Sequence, residues 1–448
     1  MAGAVSDAAL PKTNALLPRA VGIRGLLRQG AIVFAGSMAL GVCGALFQMI
    51  ASRKLGVETY GTFYTLLSIV AIAGMPGAIL APVIARYAAE FRALHDDAHV
   101  RGLIADLVRW TAVAALAYIV LAFALAAPAA DFLHVPVWTL PVAGVIAAVT
   151  LGSGVLRAIA QGTQAFATFA ASAATEGVAK VLGLVALILV GLGLIGGLLG
   201  YGIGAACGLA SVAWLLARHY RSVSVHRVRY DWPRVALSTG GAASITLAMT
   251  LMGTVDVILV KHYFNPHAAG LYAAAALGGK VLLFLVGFVP MVLLPRVTDN
   301  HARGERTRDA LWLSIALLVA VAVIGAIALQ CCGPLLLHVL VGRNFDAAAP
   351  LLLPYALAMI ALGVTNVLAC YGIATHRVRF VVPLTVGTVL VLVAIALAHA
   401  TLGAVVRVLL IGNLMTCALV ACAFLPRLGG APPRTSGGAD ELWAGCGR

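Results

Sequence analysis

Apolar stretches long enough to cross a bilayer recur along this chain from Gly30 to Phe424, with only short connections between them. A helix needs about 20 mostly apolar residues to cross a hydrocarbon core of about 30 Å. Hydrophobic residues make up 62% of the chain and charged residues 10%, which is more apolar surface than a water-soluble protein could bury. The pattern therefore predicts an integral membrane protein that crosses the bilayer many times.

The sequence predicts an all-α membrane protein with about twelve transmembrane helices. No connection is long enough to form a separate soluble domain, which argues against a large catalytic module outside the membrane. The expected spans are 30–50, 64–85, 110–127, 140–156, 165–190, 194–217, 235–260, 270–294, 311–329, 351–370, 381–399 and 402–424.

The positive charges predict the orientation. With the N-terminus inside, 23 of the 30 Lys and Arg residues fall in cytoplasmic segments and 5 fall on the outer side. Because cytoplasmic loops collect Lys and Arg, both termini are expected in the cytoplasm. The net charge of +14 would suggest nucleic-acid binding in a soluble protein, but here topology explains it, so no nucleic-acid partner is expected.

The two halves of the chain look like repeats of each other. Residues 51–61 lead into a helix that begins near Tyr64, and residues 260–270 lead into one that begins near Tyr272. Gly61 and Gly270 are 209 residues apart. Both copies occupy the same place among six helices, as expected for parallel repeats about an axis along the membrane normal. Chance similarity between apolar segments is the alternative.

The repeat predicts two six-helix lobes around a central cleft, a shape typical of transporters. The expected divisions are a cytoplasmic tail (1–29), an N-terminal lobe (30–217), a basic linker (218–234), a C-terminal lobe (235–424) and a disordered cytoplasmic tail (425–448).

The segment from Asp256 to Tyr272, followed by Pro290 and residues 294–297, resembles the second-half signature of polysaccharide flippases. Residues 53–61 resemble the first-half counterpart. Weaker similarity is present at residues 161–166, before the family's fifth helix, and at 192–196, at its turn into the sixth. The family belongs to the multidrug/oligosaccharidyl-lipid/polysaccharide exporter superfamily, which also holds multidrug and toxin extrusion proteins and lipid II flippases.

This resemblance implies a flippase, not an enzyme, that moves undecaprenyl-diphosphate-linked sugar repeat units to the outer leaflet of the bacterial inner membrane. The pathway would be the biosynthesis of a surface polysaccharide, such as the O-antigen of lipopolysaccharide or an exopolysaccharide. Expected partners are the polyprenyl-diphosphate-linked oligosaccharide, membrane lipids, and a polysaccharide polymerase with its chain-length machinery. No cofactor is expected, although a proton or sodium gradient could drive the cycle. The chain has no GxxxxGK[ST] loop for nucleotide hydrolysis.

Two predicted site residues form a pair within the fifth span. Ionisable groups deep in a bilayer cost about 3 kcal/mol or more, so each needs a reason to be there. Glu176 and Lys180 are four residues apart, in the order that favours a helix pair. Glu176 could take up a coupling proton and Lys180 could bind an anionic head group. The alternative is a self-neutralising pair that only fixes helix packing.

Two further cations are candidates for binding a diphosphate. Lys280 lies within the eighth span without an evident local carboxylate, and phosphate oxygens would offer it both charge and hydrogen-bond acceptors. The alternative for Lys280 is that its long stem reaches the outer interface. Arg157, predicted where the fourth span meets the cytoplasm, could capture the same head group, or could serve only as an interfacial anchor.

Three polar residues complete the predicted site. Asp256 could be a protonatable coupling carboxylate, although a solvated pair with Lys261 at the outer interface is the simpler interpretation. Gln161 and Gln164 could hydrogen-bond sugar hydroxyls, or could simply be solvated beside a cytoplasmic turn. The cysteines lack CxxC spacing with nearby histidines, so neither a metal site nor a disulfide framework is indicated.

Two other functions remain open from the sequence. The first is export of cationic drugs by the same superfamily, which favours acidic or aromatic groups in the cleft. The second is a polysaccharide polymerase or ligase, which would need a large outer loop or a clustered acid, base or metal site. The longest outer connection expected is 331–350, with few candidate groups.

Overall fold

The structure is a computed structural model that describes residues 23–226, 228, 232–286, 308–375 and 378–423. Within these ranges the regular elements are helical and no strand occurs. The α-helices of the described part are α1 (Ile23–Ala73), α2 (Met75–Ala93), α3 (Asp97–Ala124), α4 (Ala126–Leu133), α5 (Thr139–Gly162), α6 (Phe166–Leu189), α7 (Gly193–Tyr220), α8 (Trp232–Tyr263), α9 (Pro266–Val286), α10 (Arg308–Leu340), α11 (Ala349–Ala374), α12 (Val381–Leu397) and α13 (Leu402–Cys422).

The predicted all-helical membrane fold is confirmed. In the described ranges, 9 stretches are long and apolar enough to cross a membrane. One of them, residues 30–93, contains two predicted spans, because the chain leaves helical geometry at Gly56 (φ 73°, ψ 170°). The helices α9 and α12 correspond to two further predicted spans. These elements together account for the twelve spans expected from the sequence.

Glycine and proline residues lie at a bend and at a tight turn between helices. The second span bends between α1 and α2 at Gly74, and Pro76 occupies the first turn of α2, where its missing N–H costs no hydrogen bond. The turn between α6 and α7 has positive φ angles at Gly191 (85°) and Gly193 (46°), which glycine adopts without steric penalty. This turn separates the fifth and sixth predicted spans.

The predicted end of the ninth span is wrong. The ninth span was expected to end at Leu329, but α10 continues to Leu340 with Pro334 inside it. Proline is tolerated in membrane helices where neighbouring groups satisfy the freed backbone. The expected outer connection at 331–350 is therefore mostly helical: after α10 only a short 3₁₀-helix, Arg343–Ala348, precedes α11. No large outer loop is present in this described segment.

The helices associate in two sets. In the first set, α1 and α7 pack against α6, while α5 packs against α2, α3 and α7; we call α1–α7 the N-terminal bundle. In the second set, α11 packs against α9, α10 and α13; we call α8–α13 the C-terminal bundle. The sets meet where α1 contacts α8 and α9. Residues 1–22 of the predicted N-terminal tail, the whole predicted C-terminal tail (425–448), Pro290 and residues 294–297 lie outside the described ranges.

Candidate functional site

A buried carboxylate in the N-terminal bundle binds two cations. The Oε2 atom of Glu176 lies 2.8 Å from Nη2 of Arg157, and its Oε1 atom lies 3.2 Å from Nζ of Lys180. Glu176 is 6% exposed and Lys180 is 5% exposed. The predicted contact between Glu176 and Lys180 is therefore present, and Arg157 joins it from α5. If all three groups are ionised, the cluster carries a net charge of +1.

Of the two roles predicted for Arg157, head-group capture and interfacial anchoring, its contacts do not fit a simple interfacial anchor. Its Nε atom donates to the Ser172 hydroxyl and its Nη2 atom to the Ser172 carbonyl, both at 3.0 Å. The Ser172 hydroxyl in turn donates to the carbonyl of Gly208 on α7 at 2.8 Å. These bonds fix the guanidinium between α5, α6 and α7, so that the arginine is part of the bundle interior.

A row of glycines on α7 allows this charged face of α6 to be buried. Gly200, Gly204 and Gly208 are spaced by four and lie on one side of α7. A Cβ atom on Gly204 would lie 2.6 Å from Cβ of Lys180, and one on Gly208 would lie 2.8 Å from Cβ of Glu176. Small residues at this spacing let membrane helices approach closely. Because of this approach, the ion cluster is enclosed by helix backbone as well as by side chains.

The lysine of this cluster also makes a cation–π contact with an aromatic ring. Nζ of Lys180 lies 3.9 Å from the ring centroid of Tyr201 on α7. Such a cation–π contact stabilises a poorly hydrated ammonium. Since one carboxylate faces two cations, the cluster can accept a further anion without building up negative charge.

The C-terminal bundle contains a different buried acid. Asp256 is 1% exposed, and its Oδ2 atom accepts hydrogen bonds from the hydroxyls of Tyr272 (2.9 Å) and Tyr355 (2.8 Å). Its Oδ1 atom is buried without a hydrogen-bond partner in the described structure. The expected solvated pair with Lys261 is wrong, because Asp256 is enclosed by α9 and α11 side chains. A buried carboxylate oxygen without a partner is costly, and a hydrogen-bond donor or a small cation would satisfy it.

Lys280 lies on α9, where the two bundles meet. Its Nζ atom donates to the Tyr64 hydroxyl at 3.3 Å and lies 5.2 Å from the centroid of that ring. Tyr64 belongs to α1, so this contact links the bundles. The side chain is half-buried. Among its described contacts there is no carboxylate, as expected from the sequence.

The two glutamines lie apart from these buried charges. Gln161 and Gln164 are exposed, and the backbone N–H of Gln164 donates to the carbonyl of Gln161 at the end of α5. Gln164 has a positive φ of 57°. The structure therefore gives these residues a role in a turn, and their predicted contact with sugar hydroxyls stays a prediction.

A third polar cluster lies at the start of α3. Ligand atoms of Asp96, His99 and His226 all lie within 4.8 Å of one another, an arrangement that could hold a metal ion. Asp96 already accepts a hydrogen bond from the backbone N–H of His99 at 3.0 Å and contacts its ring at 2.6 Å. These bonds hold the pKa of the Asp96 carboxyl below its ordinary value. Because Asp96 is the N-cap of α3, helix capping accounts for the contact between Asp96 and His99, and His226 joins them by an edge contact with the His99 ring.

The sequence interpretation missed the neutral partners of the buried charges. Tyr64, Tyr201, Tyr272 and Tyr355 each contact one of the ionisable side chains, and none was predicted to do so. Two signals were available: a tyrosine inside an apolar span needs a partner for its hydroxyl, and glycines four apart mark a close helix contact.

Comparison with family models found no match, and no curated protein matched by sequence. Solved structures, however, share the fold. An inward-facing multidrug resistance MATE family transporter of the MOP superfamily superposes with a TM-score of 0.70 at 10% identity, covering 88% of this chain and 98% of the other. Lipid II flippase MurJ, in an inward closed conformation, gives a TM-score of 0.65 at 13% identity, covering 89% of this chain and 87% of the other.

A variant of the Vibrio cholerae MATE transporter VcmN gives a TM-score of 0.59 at 15% identity, covering 89% of this chain and 95% of the other. Drug transporters and a lipid flippase are thus both among the structural neighbours. At these identities the similarity establishes the fold and leaves the substrate undecided. The chain has the helical membrane fold that MATE transporters and MurJ share.

Proposed function

We propose that this protein is a flippase that carries polyprenyl-diphosphate-linked oligosaccharide repeat units across the bacterial inner membrane for surface polysaccharide biosynthesis. The observation that carries this proposal is the excess of buried positive charge. Arg157 and Lys180 share one carboxylate, and Lys280 has no acidic partner among its described contacts. A diphosphate supplies negative charge and several acceptor oxygens at once.

The N-terminal cluster suggests how a head group and a coupling ion could be linked. Protonation of Glu176 would remove its charge and leave Arg157 and Lys180 free to bind an anion. A diphosphate could then occupy the space between the two cations. On the other side of the membrane, loss of the proton would restore the carboxylate, which would compete with the diphosphate and favour its release. Because this proton would leave with the head group, against an inward gradient, it would not drive the cycle, and the driving ion would be the one bound at Asp256.

Lys280 would act at the junction of the bundles. Among the described residues, its ammonium group contacts the Tyr64 hydroxyl and ring, both of which are weaker partners than a phosphate oxygen. We assign it the first contact with a diphosphate that enters between the bundles. Rocking of one bundle against the other would then carry the head group across while the lipid tail stays in the bilayer.

Asp256 is assigned to ion coupling in the C-terminal bundle. Its two tyrosine donors occupy one oxygen and leave Oδ1 available to a proton or a sodium ion. We assign no nucleotide or other cofactor to this cycle; the energy would come from ions that bind Asp256 and move inward down their gradient.

Export of cationic drugs is the second candidate, and Asp256 is the observation that favours it. A buried acid beside Tyr272 and Tyr355 is the combination of acidic and aromatic groups that binds organic cations. MATE transporters are also among the structural neighbours. We favour the flippase because Lys280 lies at the bundle junction with no carboxylate among its described contacts, and this cation would repel a cationic drug.

Deletion of the gene separates these candidates. The flippase proposal predicts loss of one surface polysaccharide and accumulation of its lipid-linked precursor on the inner face of the membrane, with unchanged sensitivity to cationic drugs. The polymerase and chain-length proteins of the same pathway would remain present. Normal surface polysaccharide together with increased drug sensitivity would replace the flippase by the drug exporter.

A further inference from the structure

The two bundles meet closely at the end that contains residues 51–61 and 260–270, which we call the outer end. Gly61 and Gly270, which the repeat places in equivalent positions, pack directly against each other. A Cβ atom on Gly61 would lie 2.7 Å from the backbone nitrogen of Gly270, and one on Gly270 would collide with the carbonyl of Val57. This contact between equivalent glycines is expected where a pseudo-twofold axis passes between two repeats.

An arginine of the N-terminal bundle caps a helix of the C-terminal bundle at this end. Nη2 of Arg53 donates to the carbonyl of Val339 at 2.7 Å and to that of His338 at 3.3 Å. Both carbonyls belong to the last turn of α10, which ends at Leu340. Carbonyls in the last turn of a helix lack intrahelical partners and carry the negative end of the helix dipole, so a guanidinium stabilises them well.

A histidine of the C-terminal bundle makes the equivalent contact in the opposite direction. Nδ1 of His262 lies 2.6 Å from the carbonyl of Phe132, in the last turn of α4. Since a carbonyl only accepts, Nδ1 carries the proton in this contact. The two rings also stack, with centroids 3.8 Å apart and planes inclined by 11°. His134 is the neighbouring ring, at 6.1 Å from His262.

These two contacts are related by the repeat. Arg53 and His262 are 209 residues apart, the same shift that relates Gly61 and Gly270. Their acceptors, Phe132 and Val339, are 207 residues apart. Each donor lies at the outer end of the first spanning helix of its own bundle. Each acceptor lies in the last turn of a helix near the third span of its bundle. Phe132 is in α4, which follows the third span α3, and Val339 is in α10, which continues beyond the predicted third span of the C-terminal bundle. The chance that an unrelated surface contact would repeat in this way is low.

We propose that Arg53 and His262 are paired latches that hold the outer ends of the two bundles together, and that both must release before the outer end can open. In each latch, a side chain of one bundle donates a hydrogen bond to a backbone carbonyl in the last turn of a helix in the other bundle. The glycine contact at residues 61 and 270 brings the bundles near enough for both latches to close at once. The latches determine how often the outer end is open, whatever the transported molecule.

The distance between the bundles tests this inference without any substrate. Spin labels at Val137 and Ala400, both exposed and in opposite bundles, would report the outer end by pulsed electron resonance in nanodiscs. The native cysteines would first be replaced by serine. Arg53→Ala is expected to raise the ratio of open to closed populations by about tenfold, the effect of losing a charge-assisted hydrogen bond. His262→Ala is expected to raise it by about fivefold, because the lost bond is weaker.

Matched controls are available beside each latch. Lys54 and His267 are exposed neighbours of the same residue classes, and Lys54→Ala and His267→Ala should leave the distance distribution unchanged. The double variant of Arg53 and His262 should open more than either single variant. Arg53→Lys keeps a cationic donor and should recover part of the closed population. This recovery would show that the opening in Arg53→Ala comes from the lost hydrogen bond and not from misfolding.

A closed distance in the double variant equal to that of the wild type would overturn the inference. So would equal opening in the latch and control variants. Because the measurement contains no lipid-linked sugar and no drug, these outcomes leave the proposed substrate unaffected. Conversely, a protein with working latches that moves no lipid-linked sugar would contradict only the proposed function.

Discussion

Replacement of Glu176 by glutamine should destabilise the N-terminal bundle strongly. The carboxylate lies 2.8 Å from Arg157 and 3.2 Å from Lys180, and the glutamic acid is only 6% exposed. The variant leaves two buried cations without a counter-charge, and the net charge of the cluster rises from +1 to +2. Removing one partner of a buried ion pair costs about 3–5 kcal/mol, because the remaining charge stays desolvated. We expect the free energy of unfolding to fall by about that amount.

Lys180→Met is the matched variant, and it should behave in the opposite way. It removes the excess charge and leaves the neutral pair of Arg157 and Glu176, while the methionine side chain can keep contact with Tyr201. Replacing a buried charge by an apolar residue of similar volume is often neutral or stabilising. The unfolding free energy should therefore stay within about 1 kcal/mol of the wild type, or increase.

Unfolding of both variants in mixed micelles, followed by circular dichroism during a denaturant titration, measures the difference. The asymmetry between the two variants is the informative quantity, since each removes one member of the same pair. Equal destabilisation by Glu176→Gln and Lys180→Met would refute the assignment of excess positive charge to this cluster. It would mean that the lysine stabilises the fold as much as the acid does.

Three further results are expected. Gly270→Ala should push the outer ends apart against the backbone of α1 and lower thermal stability, whereas Gly403→Ala, which has open space around its Cβ position, should not; melting curves compare them. Asp256→Asn keeps an acceptor for the two tyrosines and should abolish the dependence of transport on the ion gradient, as tested by collapsing that gradient. Asp96→Asn should lower stability at neutral pH and leave it unchanged at low pH, as measured in unfolding titrations. Bonds from His99 lower the pKa of the Asp96 carboxyl from 3.8, so the stabilisation by this carboxylate is present above pH 3.8 and is lost as the pH falls through the lowered pKa.

The number and order of the helices could be predicted because hydrophobic length alone decides them. A run such as 165–190 has to cross the bilayer as a helix, and α6 spans Phe166–Leu189. The ends were less predictable. The extension of α10 to Leu340 depends on how the residues after Pro334 pack, which an apolar pattern does not specify.

The partners of the buried charges were only partly predictable. Glu176 and Lys180 lie four residues apart on one helix, so local geometry brings them together. Arg157 joins them from another helix, and its position depends on how closely α5, α6 and α7 approach. The tyrosine partners of Asp256 come from α9 and α11, with Tyr355 99 residues away in sequence. Such contacts depend on the tertiary arrangement, which spacing along the chain does not reveal.

Translocation in proteoliposomes tests the proposed function most directly. Vesicles that contain the purified protein would be loaded with a fluorescent polyprenyl-diphosphate oligosaccharide, and its movement between leaflets would be followed with a membrane-impermeant quencher. We expect the protein to accelerate translocation, with a proton or sodium gradient increasing the rate and Lys280→Met reducing it. No acceleration under either gradient, in vesicles of the same preparation that take up a cationic dye, would contradict the flippase account.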